Sequence, residues 1–68
     1  MSRLDQLRQL AALQPDDPLI HYGIGLEYAN QERWADALAA LQQTLKIDPQ
    51  YVAAFFQKAR AELKLGRR

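Results

Sequence analysis

The sequence contains no cysteine and only one histidine among its 68 residues. The absence of cysteine excludes a disulfide framework and a thiolate metal site. His21 has no second histidine or cysteine with which to complete a metal site or an activated nucleophile, so we interpret it as a hydrogen-bonded packing residue. We therefore predict a protein that is not an enzyme and that needs neither a cofactor nor a metal.

The sequence also lacks an excess of charge of either sign and any long apolar run. Its net charge is +1, with acidic and basic residues interspersed, whereas nucleic-acid binding requires a broad basic surface. No run approaches the roughly 18 apolar residues of a membrane span, and the N-terminal sequence MSRLDQLRQL has no apolar signal-peptide core. We expect no nucleic-acid partner, no membrane partner and a cytoplasmic location.

The composition is that of a folded protein, with 49% apolar and 25% charged residues. A chain of 68 residues forms one small domain, and such a domain buries too little surface to be more than marginally stable alone. Dense helix packing or a partner must therefore supply part of its stability.

The segment from Asp17 to Asn30, DPLIHYGIGLEYAN, is apolar on nearly every side. A helix of this kind must be covered on more than one face, so we expect the rest of the chain to pack around it. Gly23 and Gly25 lie inside it, where each costs roughly 1 kcal/mol relative to alanine. Close approach of a neighbouring helix is the usual reason for such glycines, and we expect Gly25 to lie at a helix crossing.

The spacing of apolar residues predicts three further helices, and prolines separate them. Pro15 ends the first helix and Pro49 ends the third, because proline lacks the amide that a continuing helix would use. Gly66 is a typical C-cap for the fourth helix, whose apolar side comprises Val52, Phe55, Phe56, Ala59 and Leu63. The predicted fold is all-α, with antiparallel helical hairpins in a single domain over residues 1–68 and helices at about 3–14, 18–30, 34–47 and 51–65.

The C-terminal end of the chain is basic. We interpret this charge as a solubility feature that also compensates the negative end of the helix dipole, in preference to an anion site. The residues concerned are Lys58, Arg60, Lys64, Arg67 and Arg68.

The chain resembles itself when it is shifted by 34 residues, which brings Pro15 onto Pro49 and Leu7 onto Leu41. A period of this length with two helices per unit resembles the tetratricopeptide repeat. The family pattern W-x2-L-G-x2-Y, then A-x3-F, then P, reads here as His21-x2-Ile24-Gly25-x2-Tyr28, then Ala37-x3-Leu41, then Pro49. The resemblance covers one full repeat, Pro18 to Tyr51, with a half repeat on each side, and it implies a right-handed superhelix of helical hairpins.

Two positions depart from the family pattern. His21 replaces a bulky aromatic residue, and Glu32 occupies a turn where the family often has glycine. On the fourth helix, Lys58 and Glu62 replace the apolar residues that would grip a following helix. Polar outer faces are required of terminal repeats, so the end helices are either capping helices or parts of a longer array that has been cut.

The resemblance implies a binding function, since repeats of this family place the first helix of each hairpin on a concave face that holds peptides or helices. The groove implied for this chain is lined by Leu19, Tyr22, Leu26, Ala29 and Asn30 on the second helix and by Ala53, Phe56, Arg60, Leu63 and Lys64 on the fourth. Some family members clamp the carboxylate of chaperone C-termini with polar residues in this groove. Tyr22, Gly23 and Leu26 stand in their place, so we do not expect that activity.

An apolar groove of this kind leads to two hypotheses. In the first, the chain is a protein-interaction module whose groove takes an amphipathic helix or an extended peptide of a partner protein. In the second, the chain is a structural unit that covers the same face with a second copy, as a homodimer. The sequence leaves both open.

Overall fold

A computed structural model describes residues 2–66, which form four α-helices and no strand. The helices are α1 (Arg3–Leu13), α2 (Pro18–Asn30), α3 (Trp34–Ile47) and α4 (Val52–Lys64). The all-α prediction is confirmed, although α1 ends one residue earlier and α4 is one residue shorter at each end than the sequence predicts. Arg67 and Arg68, predicted to follow α4, lie outside the described residues. No helix within residues 2–66 combines the length and the apolar character needed to cross a bilayer.

Local sequence signals fix the beginnings of α1 and α2. The Ser2 hydroxyl accepts a hydrogen bond from the Asp5 amide at 3.1 Å, and Oδ1 of Asp17 accepts one from the Leu19 amide at 3.0 Å. Each cap satisfies one of the amides that the first turn of a helix leaves without a partner. Pro18 occupies the first turn of α2, where its missing amide costs nothing.

His21 connects α2 to the turn that precedes it. Its Nε2 atom lies 2.8 Å from the carbonyl oxygen of Pro15, and the side chain is half-buried. Because a carbonyl oxygen can only accept, Nε2 carries the proton and donates it. The interpretation of His21 as a hydrogen-bonded residue is confirmed, and its partner is the α1–α2 turn.

The helices pack in chain order: α1 on α2, α2 on α3 and α3 on α4, with a smaller contact between α2 and α4. Segments 14–17, 31–33 and 48–51 connect them, and connections this short join antiparallel neighbours. The α3–α4 pair shows this directly, because Trp34 at the start of α3 contacts Arg60 and Lys64 near the end of α4.

The crossing of α2 and α3 is centred on Gly25, as the sequence predicts. A Cβ atom added to Gly25 would lie 2.9 Å from both Cγ and Cδ2 of Leu41 and 3.5 Å from the carbonyl oxygen of Ala37. The two shorter distances are closer than carbon atoms approach without repulsion. Gly23 is less constrained, since its added Cβ would meet the Leu7 methyl groups at 3.5 Å, an ordinary contact.

The core consists of two neighbouring groups of buried side chains. Leu4, Ile20 and Ile24 form the first, between α1 and α2. The second lies on α3, where Leu41 and Thr44 are fully buried. The hydroxyl of Thr44 donates to the carbonyl oxygen of Ala40 at 3.0 Å, so this buried polar atom is satisfied within its own helix.

Helix α4 packs on α3 through small residues and leaves its apolar side exposed. Ala54 and Ala61 are its buried residues, whereas Val52, Phe55, Phe56, Ala59 and Leu63 are all exposed. Positions 54 and 61 are seven apart, and this spacing brings them to the same side of a helix after two turns. The apolar side predicted for α4 therefore exists, but it does not contribute to the core of this chain.

The turn between α2 and α3 is a Schellman motif that contains a glutamate at its left-handed position. Glu32 has φ +58°, its amide donates to the carbonyl oxygen of Ala29 at 3.0 Å, and the Arg33 amide donates to that of Tyr28 at 2.9 Å. Glycine is the usual residue at this position, because a side chain there is strained by roughly 1–2 kcal/mol. The turn keeps its hydrogen bonds despite the departure from the family pattern.

The substitution Glu32→Gly is expected to raise the free energy of unfolding by about 0.5–1 kcal/mol. The relief of left-handed strain exceeds the extra entropy that glycine gives to the unfolded chain, and Glu32 is exposed, so no packing is lost. Urea denaturation followed by circular dichroism measures the change. The matched control is Gln31→Gly, at a residue with φ −91°, where glycine brings only its entropic cost and should destabilise. A loss of stability in both variants would contradict the strain at Glu32.

Candidate functional site

Helices α2 and α4 carry the residues for which the sequence predicts partner binding. Leu19 on α2 and Phe56 and Leu63 on α4 are strongly exposed, at 63%, 72% and 74% of their surface. Tyr22 and Leu26 are half-buried, and Asn30, Ala53, Arg60 and Lys64 are exposed. We refer to these nine residues as the α2–α4 face.

Ala29 does not belong to this face, although the sequence predicts it there. Its side chain is 7% exposed. Ala29 lies one helical turn after Gly25, and residues four apart share a side of a helix, so it follows Gly25 onto the side that α3 covers. The prediction that Ala29 lines the groove is therefore corrected.

Two tyrosines join α2 to the beginning of α4. The ring centroids of Tyr22 and Tyr51 are 5.0 Å apart, with the planes tilted by 39°, a favourable arrangement for an aromatic pair. Partial burial raises the pKa of the Tyr51 hydroxyl, and the nearby Tyr22, Asp17 and Asp48 raise it further. Tyr51 is therefore neutral at pH 7. The sequence analysis does not include Tyr51 in the groove, because Tyr51 meets Tyr22 only through the tertiary fold.

The N-terminal end of the α2–α4 face is acidic. Asp17 and Asp48 both lie close enough to Tyr51 to affect its ionisation. Each uses Oδ1 in a local hydrogen bond of 3.0 Å, Asp17 with the Leu19 amide and Asp48 with the Gln50 amide. These two acidic side chains give the N-terminal end of the face its negative character.

The C-terminal end of the face is basic and is organised by Trp34. The guanidinium carbon of Arg60 lies 5.1 Å from the centre of the Trp34 ring, and Nζ of Lys64 lies 5.8 Å from it. Both distances are typical of cation–π contacts. The two cations are four residues apart on α4 and exposed, so their charged groups lie over the indole and still face solvent. The sequence analysis does not include Trp34 in the site, because its contacts with Arg60 and Lys64 arise from the packing of α4 on α3.

The side of α4 that corresponds to the covered side of α2 is polar. Lys58 and Glu62 occupy the positions equivalent to Ile24 and Tyr28, and Nζ of Lys58 lies 3.9 Å from Oε2 of Glu62. An ion pair of this kind on a helix surface contributes about 0.3–0.5 kcal/mol. The most exposed apolar side chains of α4, Phe56 and Leu63, lie on a different side from this ion pair.

A family model for the tetratricopeptide repeat matches residues 18–51, which span α2, α3 and the turn that follows them. The chain belongs to the tetratricopeptide repeat family. The matched repeat contains the crossing at Gly25 and the terminating Pro49, and Glu32 lies in its central turn. No curated protein sequence and no solved structure matches the chain.

Tetratricopeptide repeats are in general non-catalytic modules that bind proteins or peptides. In this chain α2 is the first helix of the matched repeat and α3 is the second, while α4 occupies the position of a following first helix. The α2–α4 face is therefore made by first helices. The α2–α4 face has an apolar centre, an acidic N-terminal end and a basic C-terminal end.

Proposed function

We propose that this tetratricopeptide repeat chain is a protein-interaction module whose α2–α4 face binds an apolar helix or peptide of another chain. The single observation that supports this is the orientation of α4, whose Ala54 and Ala61 are buried while Phe56 and Leu63 are exposed. Isolated apolar residues at a surface are ordinary, but a helix that turns its whole apolar side to solvent marks an interaction site.

The spacing of the exposed residues fits a helical ligand. Phe56 and Leu63 are seven residues apart, which places them on one line of α4 about 10 Å apart. An amphipathic helix presents anchors at the same interval, so its side chains can alternate with those of α4. Leu19 and the half-buried Leu26 on α2 provide further apolar surface to such a ligand.

Selection of phage-displayed random peptides on this chain tests the proposal. Peptides about 15 residues long provide roughly four helical turns, and selection at a low chain concentration keeps the face free. We expect the selected peptides to be apolar and to bind Phe56→Asp at least about tenfold more weakly than the unaltered chain, because a buried carboxylate at the centre of the contact has no partner.

The matched control for this experiment is Leu13→Asp. Leu13 on α1 is as exposed as Phe56, at 79%, and the same substitution there should leave peptide affinity unchanged. Peptides that bind Phe56→Asp with full affinity, or that lose affinity only with Leu13→Asp, would contradict the proposed site.

One observation also favours the second hypothesis, a homodimer through the same face. The α2–α4 face has opposite charges at its two ends, as the residues around Tyr51 and around Trp34 establish. A surface with this polarity is complementary to itself when one copy is turned end for end.

A further inference from the structure

We propose that the helix that occupies this face is α4 of a second copy of the chain, docked antiparallel to the first α4 across a two-fold axis. This inference depends on the proposed function, since it assigns a partner to the same apolar face. It follows from the order of the exposed residues along α4 and from the charges at its two ends.

The exposed stripe of α4 reads the same in both directions. Val52, Phe56, Ala59 and Leu63 follow one another at intervals of four, three and four residues, so they lie on one side of the helix. The midpoint between Phe56 and Ala59 is also the midpoint between Val52 and Leu63. An axis through it therefore brings Phe56 of each copy against Ala59 of the other and Val52 against Leu63.

The pairing is also complementary in size. Ala59 is the smallest residue of the stripe and would face Phe56, the largest, so that a large side chain fills the space that a small one leaves. All of these residues are exposed in the single chain.

The charges select the antiparallel direction. The two-fold operation brings the basic C-terminal end of one α4, with Arg60 and Lys64, alongside the acidic N-terminal end of the other, near Asp17 and Asp48. In a parallel arrangement the acidic ends would meet each other and the basic ends would meet each other. Helix dipoles favour the antiparallel arrangement as well.

Another way for two copies to associate is head to tail, with α1 of one copy on α4 of the next. That contact would use the side of α4 that carries the Lys58–Glu62 ion pair, and it would leave Phe56 and Leu63 exposed. The two-fold contact instead covers the most exposed apolar residues of α4. An interface built mainly on one helix is small, so we expect a weak dimer with a dissociation constant of order 1–100 μM.

Sedimentation equilibrium over about 1 μM to 1 mM measures the association. We expect a reversible monomer–dimer equilibrium that Phe56→Arg weakens at least about tenfold and that Leu13→Arg leaves unchanged. Phe56 and Leu13 are both exposed in the single chain, and circular dichroism should show that both variants keep their helices. A monomer throughout the range, or a dimer that Leu13→Arg dissociates, would overturn the inference.

Cross-linking through introduced cysteines tests the direction, since the chain has no cysteine of its own. In the two-fold arrangement Val52 of one copy lies opposite Leu63 of the other, whereas the two Val52 residues are about 16 Å apart. That separation is too great for a disulfide. A mixture of Val52→Cys and Leu63→Cys should therefore form mixed disulfide dimers under mild oxidation, and either variant alone should form few.

Efficient cross-linking of Val52→Cys to itself would indicate parallel helices and would overturn the proposed arrangement. The peptide selection distinguishes this failure from failure of the proposed function. If the chain remains monomeric but binds selected peptides through Phe56, the dimer is contradicted and the proposed function is supported. The partner is then a chain of another kind. If the chain neither associates nor binds peptides at Phe56, both the dimer and the proposed function are contradicted.

Discussion

The substitution Leu41→Ala is expected to lower the free energy of unfolding by about 2–5 kcal/mol. Leu41 is 1% exposed and lies directly over Gly25, so that its removal opens a cavity at the crossing of α2 and α3. A domain of this size has a total stability of roughly 3–10 kcal/mol. The variant should therefore unfold at much lower urea concentration, and part of it should be unfolded at 25 °C without denaturant.

Urea titration monitored at 222 nm by circular dichroism measures this loss. The matched control is Leu13→Ala, which removes the same atoms from a side chain that is 79% exposed and should change stability by no more than about 0.5 kcal/mol. Equal effects of the two substitutions would show that α3 does not pack on α2 through Leu41.

The substitution Gly25→Leu is expected to lower the free energy of unfolding by about 1–3 kcal/mol. Its Cβ atom alone would lie 2.9 Å from Cγ and Cδ2 of Leu41, and Leu41 is too deeply buried to move aside. The helices would have to separate, and the gain of roughly 1 kcal/mol in helix propensity offsets only part of the cost. Thermal or urea denaturation measures the difference.

Gly23→Ala is the control for this second prediction, because it changes a glycine two residues away in the same helix. Its Cβ would meet Leu7 at 3.5 Å, so we expect a gain of about 0.5–1 kcal/mol from helix propensity. The double variant Gly25→Leu with Leu41→Ala should cost less than the sum of the single changes, by about 0.5–3 kcal/mol. Strict additivity would rule out the contact between residues 25 and 41.

The positions of the helices could be predicted from the sequence because local signals determine them. Pro15 and Pro49 follow helix ends, and Asp17 precedes Pro18 at a helix start. The position of Gly25 at a helix crossing was also predictable, because glycine destabilises a helix interior and close packing of a second helix offsets that loss. Each of these inferences uses residues within one or two helical turns.

The orientation of α4 could not be predicted in the same way. Its apolar stripe is longer and larger than its two buried alanines, and an amphipathic pattern alone favours the larger side as the packed one. Ala54 and Ala61 are the buried residues because their small side chains let α4 approach α3 closely. Whether such a close approach is possible depends on the surface that α3 presents to α4. The misplacement of Ala29 has the same origin, since its burial depends on where α3 crosses.

The sequence predicts the apolar residues of the candidate site, but it does not predict the contacts of the aromatic residues Trp34 and Tyr51. The family resemblance implies Phe56 and Leu63 as groove residues, whereas the contact of the Trp34 ring with Arg60 depends on how α4 is rotated against α3. The contact of Tyr22 with Tyr51 likewise joins α2 to the residue that precedes α4. Such pairs are set by tertiary geometry, which a single sequence does not specify.

The extensive contacts of this chain all join helices that are consecutive along it, and those between α2 and α3 are the most numerous. Because few contacts bridge distant segments, little loop entropy opposes their formation, and folding of such chains takes microseconds to milliseconds. The α2–α3 hairpin is the natural nucleus, onto which α1 and α4 add from either side. The outer helices therefore open first when the native state fluctuates, and α4 carries the exposed stripe with it.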